Sequence, residues 1–168
     1  QYKKEYAAIN PKGSIPALLL DDGTALTEFS AIAWWLGRSY PKRKLLPESL
    51  KDEVQVLSVM NYAVHTLHTQ GFARIFTTER FAPISSDHES VKAQGRQTID
   101  KAFAIVNREL AGRQYVVDHF TIADAALFYV EFWADKIGLA LPARCAAHYQ
   151  RVRARPVVQR VLREEGYR

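Results

Sequence analysis

The sequence predicts an incomplete α/β domain followed by an all-α helical bundle, in a chain of 168 residues. Up to Tyr40, short apolar runs alternate with turn residues, a pattern that is typical of strands and hairpins. Beyond Pro47, apolar residues recur at helical spacing over long stretches. We therefore expect an α/β domain over residues 1–40, a linker over 41–49 and an all-helical domain over 50–168.

The N-terminal domain is predicted to consist of a helix, a β-hairpin and a second helix. The apolar run 15–20 is typical of a buried strand, with Pro16 at its beginning because proline cannot donate to an inner ladder. Residues 21–23 supply turn chemistry, and 24–27 are predicted to form the returning strand. A helix over 28–37 follows, and its last residue, a glycine, is expected to end it.

Five helices are predicted in the C-terminal domain. Their expected ranges are 50–81, 88–111, 121–137, 142–153 and 157–165. The first contains Gly71, which is expected to bend or break it. The third is apolar nearly all round, which is typical of the buried centre of a bundle.

Composition and charge exclude several function classes. Apolar residues make up 48% of the chain, which is too many for a disordered protein. No apolar run is long enough to cross a membrane. The net charge is +5, but the C-terminal arginines are mixed with glutamates around helical turns, as on a solvated helix face. We therefore expect neither a nucleic-acid nor a membrane partner.

The histidines and the single cysteine do not predict a metal site. Cys145 stands alone, so the chain contains no internal disulfide and no CxxC pair, and we expect this thiol to be structural or incidental. His65 and His68 have no third ligand at suggestive spacing, so we expect no zinc site. Lone, unpaired cysteine use is typical of a reducing cytoplasm.

The segment before the third predicted helix has the form of an N-capping box. The hydroxyl of Thr121 can accept from an amide three residues on, while the carboxylate of Asp124 reaches back to the Thr121 amide. This is a structural device, and it implies no activity by itself.

Three blocks of the chain resemble glutathione transferases. They cover 10–32, with its Asn-Pro-Lys-Gly-Ser-Ile-Pro-Ala-Leu run, then 120–128 and 155–159. The resemblance implies a thioredoxin-like N-terminal domain that binds glutathione, followed by the all-α bundle. It also implies that the family's first strand and helix precede Gln1. The Tyr, Ser or Cys that activates the thiol would then lie upstream, and its identity is open.

The resemblance implies where glutathione binds in the N-terminal domain. The peptide bond before Pro16 would be cis, and the backbone of Ile15 would pair with the cysteinyl part of the ligand. Glu28 would bind the γ-glutamyl ammonium, and Phe29, which stands where the family often has serine, would offer its amide to the carboxylate. From the residues alone, Pro16 could be an ordinary turn proline and Glu28 a favourable charge near a helix start.

The helical domain is expected to contribute Asn61 and His68 to the same site. They lie two helical turns apart and share a face, and a similar pair lines the active cleft in the bacterial beta class. His68 is a possible auxiliary catalytic group that hydrogen-bonds a thiolate or accepts a proton. A histidine that merely satisfies a polar neighbour is the alternative. The lysine that usually follows this histidine is Thr69 here.

The implied function is that of a bacterial, cytoplasmic, homodimeric glutathione transferase of detoxification. Glutathione would be the co-substrate, and its thiolate would attack an electrophilic small molecule or exchange with a disulfide. The alternative is a non-catalytic module of the same fold that binds ligands or proteins. Phe29 and Thr69, as departures from the family pattern, favour that alternative.

Overall fold

The N-terminal part of the chain is a hairpin flanked by two helices. The computed structural model describes residues 3–167. In chain order the elements are α1 (Lys4–Ile9), β1 (Ala17–Leu19), β2 (Ala25–Thr27) and α2 (Phe29–Ser39). The strands pair antiparallel, with Ala17 opposite Thr27. This is the predicted hairpin, and its first strand begins directly after Pro16.

The C-terminal part is all helical, as predicted. Its helices are α3 (Leu50–Tyr62), α4 (Ala73–Phe76), α5 (His88–Glu109), α6 (Ile122–Lys136), α7 (Ala143–Arg153) and α8 (Pro156–Glu164). Between α3 and α4 the backbone continues as a π-helix, Ala63–Phe72. Single 3₁₀ turns occur at Pro41–Arg43, Thr78–Arg80 and Ser85–Asp87. The fold class is therefore the expected one, a small sheet domain joined to a helical bundle.

The hydrophobic core belongs to the helical part. Side chains from α3, the π-helical segment, α5 and α6 form one continuous cluster. Helix α6 lies at its centre, because Ala126, Leu127 and Val130 are fully buried. The nearly all-round apolar character of this helix in the sequence is explained by that position.

The prediction for Gly37 was wrong, and of the two alternatives predicted for Gly71, a bend or a break, the break does not occur. Gly37 does not end α2, which continues to Ser39. A Cβ at Gly37 would lie only 2.8 Å from the Leu46 side chain, so this glycine permits close packing of the linker. The first long helix is not broken at Gly71 but passes through it as a π-helix. A Cβ at Gly71 would lie 2.6 Å from the side chain of Ile99 on α5, so the glycine permits α5 to pack closely against this segment.

The capping box at the start of α6 is present, as predicted. The amide and the hydroxyl of Thr121 donate to Oδ2 of Asp124 at 2.7 and 2.9 Å. The other oxygen of Asp124, Oδ1, accepts from the Val116 amide at 2.8 Å. The carboxylate therefore closes the helix start and also anchors the preceding loop.

Asp124 also belongs to a buried ionic cluster that joins α6 to α7. His148 lies between two carboxylates, with Nε2 at 3.1 Å from Asp124 and Nδ1 at 2.8 Å from Glu131. All three side chains are almost completely buried. Burial alone would lower the pKa of His148, but the two carboxylates more than offset this and raise it to about 9. Burial raises the pKa of Glu131, and the hydrogen bond from His148 offsets only part of that increase.

Cys145 is a structural thiol. It is fully buried on α7, and its Sγ donates to the Phe103 carbonyl at 3.7 Å. Burial raises the pKa of the thiol to about 12, so it is not a nucleophile near neutral pH.

Candidate functional site

A short loop with its own hydrogen bonds presents Ile15 and Pro16. Asn10 is fully buried, and its Nδ2 donates to the Ser14 carbonyl at 2.6 Å. The hydroxyl of Tyr6, on α1, donates to the same carbonyl at 2.5 Å. The Ile15–Pro16 peptide bond is cis, as the resemblance to glutathione transferases implied. Ile15 is an exposed residue at this end of the hairpin.

Glu28 lies at the same end of the hairpin as Pro16. The pairing of Ala17 with Thr27 sets this arrangement, because the two residues are the neighbours of Pro16 and Glu28 in the chain. Glu28 has a φ of 71°, which is uncommon for a residue other than glycine. Such backbone is often found at ligand-binding and active sites. Its carboxylate accepts from Lys12 Nζ at 2.8 Å, and Lys12 also donates to the Thr27 hydroxyl at 3.0 Å.

The first turn of α2 connects the hairpin to the helical part. Glu28 is its N-cap residue, so the free amides of the helix start follow it directly. Ser30 donates its hydroxyl to Oδ1 of Asn61 at 2.9 Å. The ring of Phe29 meets Tyr129 of α6 edge-on, with ring centroids 6.0 Å apart. A helix start that attracts anions is thus attached to both halves of the chain.

His68 lies in the π-helical segment, against two aromatic rings of α6. Its Nδ1 is 3.1 Å from the hydroxyl of Tyr129. The ring of Trp133 contacts it edge-to-face at 4.9 Å between centroids. Burial lowers the pKa of His68, so its imidazole is neutral near pH 7. Burial raises the pKa of Tyr129 well above its usual range, so its phenol stays protonated.

The structure groups the predicted site residues in two sets that meet at α2. Pro16 and Glu28 lie at the same end of the hairpin. Asn61 accepts a hydrogen bond from Ser30 of α2. His68 contacts Tyr129, whose ring also meets that of Phe29 of α2. Their contacts to a ligand stay predictions.

Four further residues lie beside these positions and were not predicted as site residues: Lys12, Ser30, Tyr129 and Trp133. Lys12 lies in the loop before Pro16, so its place near the site was visible in the sequence. Tyr129 is separated from His68 by 61 residues, and no local pattern connects them.

The rest of the described chain adds no metal centre and no membrane span. Among residues 3–167, no group of three or more His, Cys, Asp or Glu side chains is placed to hold a metal ion. Over the same residues, none of the helices combines the length and the apolar character needed to span a bilayer.

Sequence comparisons identify the family of both parts of the chain. Residues 1–39 match the sequence profile of the glutathione S-transferase N-terminal domain, and residues 89–162 match that of the C-terminal domain. Glutathione S-transferase GstA of Escherichia coli O157:H7 is 40% identical over 96% of this chain and 79% of its own length. Glutathione S-transferase GST-4.5 of Xanthomonas campestris is 29% identical over 96% of this chain and 80% of its own.

Solved structures agree with the sequence relatives. A glutathione transferase homologue from Sulfitobacter, with bound glutathione, superposes with a TM-score of 0.85 at 32% identity, over 99% of this chain and 80% of its own. A sphingomonad glutathione S-transferase complexed with glutathione gives 0.82 at 30% identity, over 99% of this chain and 81% of its own. With two matching domains in the family's order and a relative at 40% identity, the chain belongs to the glutathione S-transferase family.

Proposed function

We propose that this chain binds glutathione at the junction of its hairpin and helical bundle and transfers the thiolate to an electrophilic small molecule. The observation that carries the site is the placement of Pro16 opposite Glu28 at one end of the hairpin, directly before α2. The names of the relatives favour a transferase over the non-catalytic module. Exchange of the thiolate with a disulfide substrate is part of the same proposal.

The polar groups at the hairpin end are suited to a γ-glutamyl peptide. We propose that the N–H and C=O of Ile15 pair with the cysteinyl backbone, as an added strand pairs with a sheet edge. The carboxylate of Glu28 would bind the α-ammonium of the ligand, and the Phe29 amide its α-carboxylate. Glu28 is already an ion-pairing residue, because it holds the ammonium of Lys12 at 2.8 Å.

The bundle side of the site has groups suited to the sulfur. A neutral His68 with one ring N–H can donate a hydrogen bond to a thiolate, which lowers the pKa of a bound thiol. The thiol gives its proton to water, and the resulting thiolate attacks the electrophilic carbon. A C–S bond forms as the bond to the leaving group breaks, and that group departs with the electron pair. Asn61, bonded to Ser30, would hold the start of α2 in place around the ligand.

The test is a calorimetric titration of glutathione into the chain and into its Glu28→Ala variant. Loss of a charge-assisted hydrogen bond is worth about 1.5–3 kcal/mol, so the affinity should fall by about tenfold or more. Glu79→Ala is the matched control, because Glu79 is also exposed but lies in a 3₁₀ turn after α4. Equal affinities for all three proteins would remove Glu28 from the site.

We also propose the finer features that the resemblance implies: the domain division 1–40, 41–49 and 50–168, a homodimer, and a detoxifying role in the cytoplasm.

Support for a dimer comes from apolar side chains exposed on two adjoining helices, with Trp34 on α2 and Leu50 and Val54 on α3. The two helices lie side by side at this point, where the indole N–H of Trp34 on α2 donates to Glu53 on α3 at 2.9 Å. Light scattering of the chain and of a Val54→Glu variant tests the dimer, and cell fractionation tests the location.

A further inference from the structure

The ring of His68 is fixed by contacts from helix α6. Tyr129 reaches its Nδ1 at 3.1 Å, and the rings of Trp133 and Tyr129 meet it edge-to-face, with centroids 4.9 and 5.8 Å away. Tyr129 and Trp133 are four residues apart on one helix face and contact each other at 5.2 Å. His68 is therefore oriented by two neighbouring aromatic residues of a buried helix.

The direction of the hydrogen bond between Tyr129 and His68 follows from their chemistry. The Tyr129 phenol is protonated, so it has a proton to donate, and among residues 3–167 the only hydrogen-bond partner of its oxygen is Nδ1 of His68. A neutral imidazole has one N–H and one acceptor nitrogen. If Nδ1 accepts from the phenol, the hydrogen of the ring lies on Nε2.

We infer that Tyr129 is a positioning residue that fixes neutral His68 in the tautomer with its hydrogen on Nε2. Within the described part of the chain, Nε2 has no hydrogen-bond partner, so it is free to donate to a ligand. This inference rests on the proposed function for its consequence, which is that His68 donates to the glutathione sulfur. In this tautomer His68 stabilises a thiolate and does not serve as the base that takes its proton.

The tautomer can be read directly from the ¹⁵N chemical shifts of the two His68 ring nitrogens. The measurement uses protein labelled at histidine, above the pH at which His68 loses its charge. The wild-type chain should show a protonated Nε2 and an accepting Nδ1. Tyr129→Phe should lower the ratio of the Nε2–H to the Nδ1–H tautomer about fivefold, the effect of one ordinary hydrogen bond.

Tyr149→Phe is the matched control, because it removes another phenol hydrogen bond, the one from Tyr149 to Asp135 at 2.9 Å. It should leave the His68 signals unchanged. A protonated Nδ1 in the wild-type chain overturns the inference, and this result needs no variant to fold. An unchanged tautomer ratio in a folded Tyr129→Phe protein also overturns it.

Adding glutathione to the labelled wild-type chain separates this inference from the proposed function. A shift of the Nε2 signal on binding, reduced in Tyr129→Phe, supports both. If glutathione binds without moving the Nε2 signal, the contact between His68 and the sulfur is wrong, while the tautomer assignment stands. If no binding occurs at all, the proposed function fails and the tautomer is still decided by the unliganded spectra.

Discussion

The two parts of this chain differ in how they use buried side chains. In the described residues up to Tyr40, only Asn10, Ile32, Ala33 and Gly37 are buried. The helical part contains nearly all of the continuous apolar core. Because local stability follows buried apolar contact, the hairpin part depends on the bundle for its order. The bundle therefore supplies the rigid support for the exposed hairpin end.

Ionic groups show the same difference. In the hairpin part, Lys12 and Glu28 form a pair whose two side chains are more than half exposed. In the bundle, His148 and its two carboxylates are withdrawn from water. An exposed pair gains little because water and salt screen it, whereas a buried group left without its partner is strongly unfavourable. Substitutions in the two regions should therefore differ greatly in their effect on folding.

The largest effect is expected from His148→Ala. It leaves the carboxylates of Asp124 and Glu131 buried without their shared cation, which typically lowers the free energy of unfolding by about 3–5 kcal/mol. Urea denaturation followed by circular dichroism measures the change.

The control for this substitution is His65→Ala. His65 is an exposed histidine in the π-helical segment. Its Nδ1 is 3.0 Å from the carbonyl of Asn61, one turn earlier in the chain. It should change the stability by less than about 0.5 kcal/mol, the usual range for exposed positions. Similar losses for the two variants would contradict the distinction between buried and exposed ionic groups.

The same cluster predicts how stability depends on pH. The pKa of His148 is raised from 6.5 to about 9 on folding, so its stabilising effect is complete below about pH 6.5. Between these values the folded chain binds more protons than the unfolded chain, and stability falls as the pH rises, by at most about 1.4 kcal/mol per unit. Denaturation midpoints measured from pH 6 to pH 9.5 test this.

A His148→Gln variant removes the titrating group and is the reference for that series. Its midpoints should decline less steeply over the same range, because only the remaining groups titrate. If the two proteins show parallel pH curves, His148 does not gain its proton affinity from folding.

Local sequence patterns were sufficient for most of the fold. Thr121 and Asp124 are three residues apart, so their capping box is encoded in one turn of chain. The hairpin was likewise predicted from a proline, an apolar run and a glycine turn that follow one another directly. Such signals depend on neighbours in the chain, and they hold whatever packs around them.

The features that could not be predicted from the sequence depend on contacts between distant segments. His148 and Asp124 are 24 residues apart, and nothing near either residue predicts that they meet across α6 and α7. Gly37 matches the pattern of a helix end, but the side chain of Leu46 decides its use. Pro16 and Glu28 were assigned to the site by the resemblance to the family. Their opposition at one hairpin end then followed from strand register.

The smallest effect is expected from Lys12→Ala at the hairpin end. It removes the 2.8 Å ion pair with Glu28 and the bond to Thr27, but both side chains are open to water. Exposed pairs contribute roughly 0–1 kcal/mol to folding, so the free energy of unfolding should fall by no more than that, and by less still in 0.5 M salt. Urea denaturation at low and high salt measures both quantities. A salt-independent loss comparable to that of His148→Ala would mean that the hairpin end is part of the chain's structural core, and the contrast between the two regions would fail.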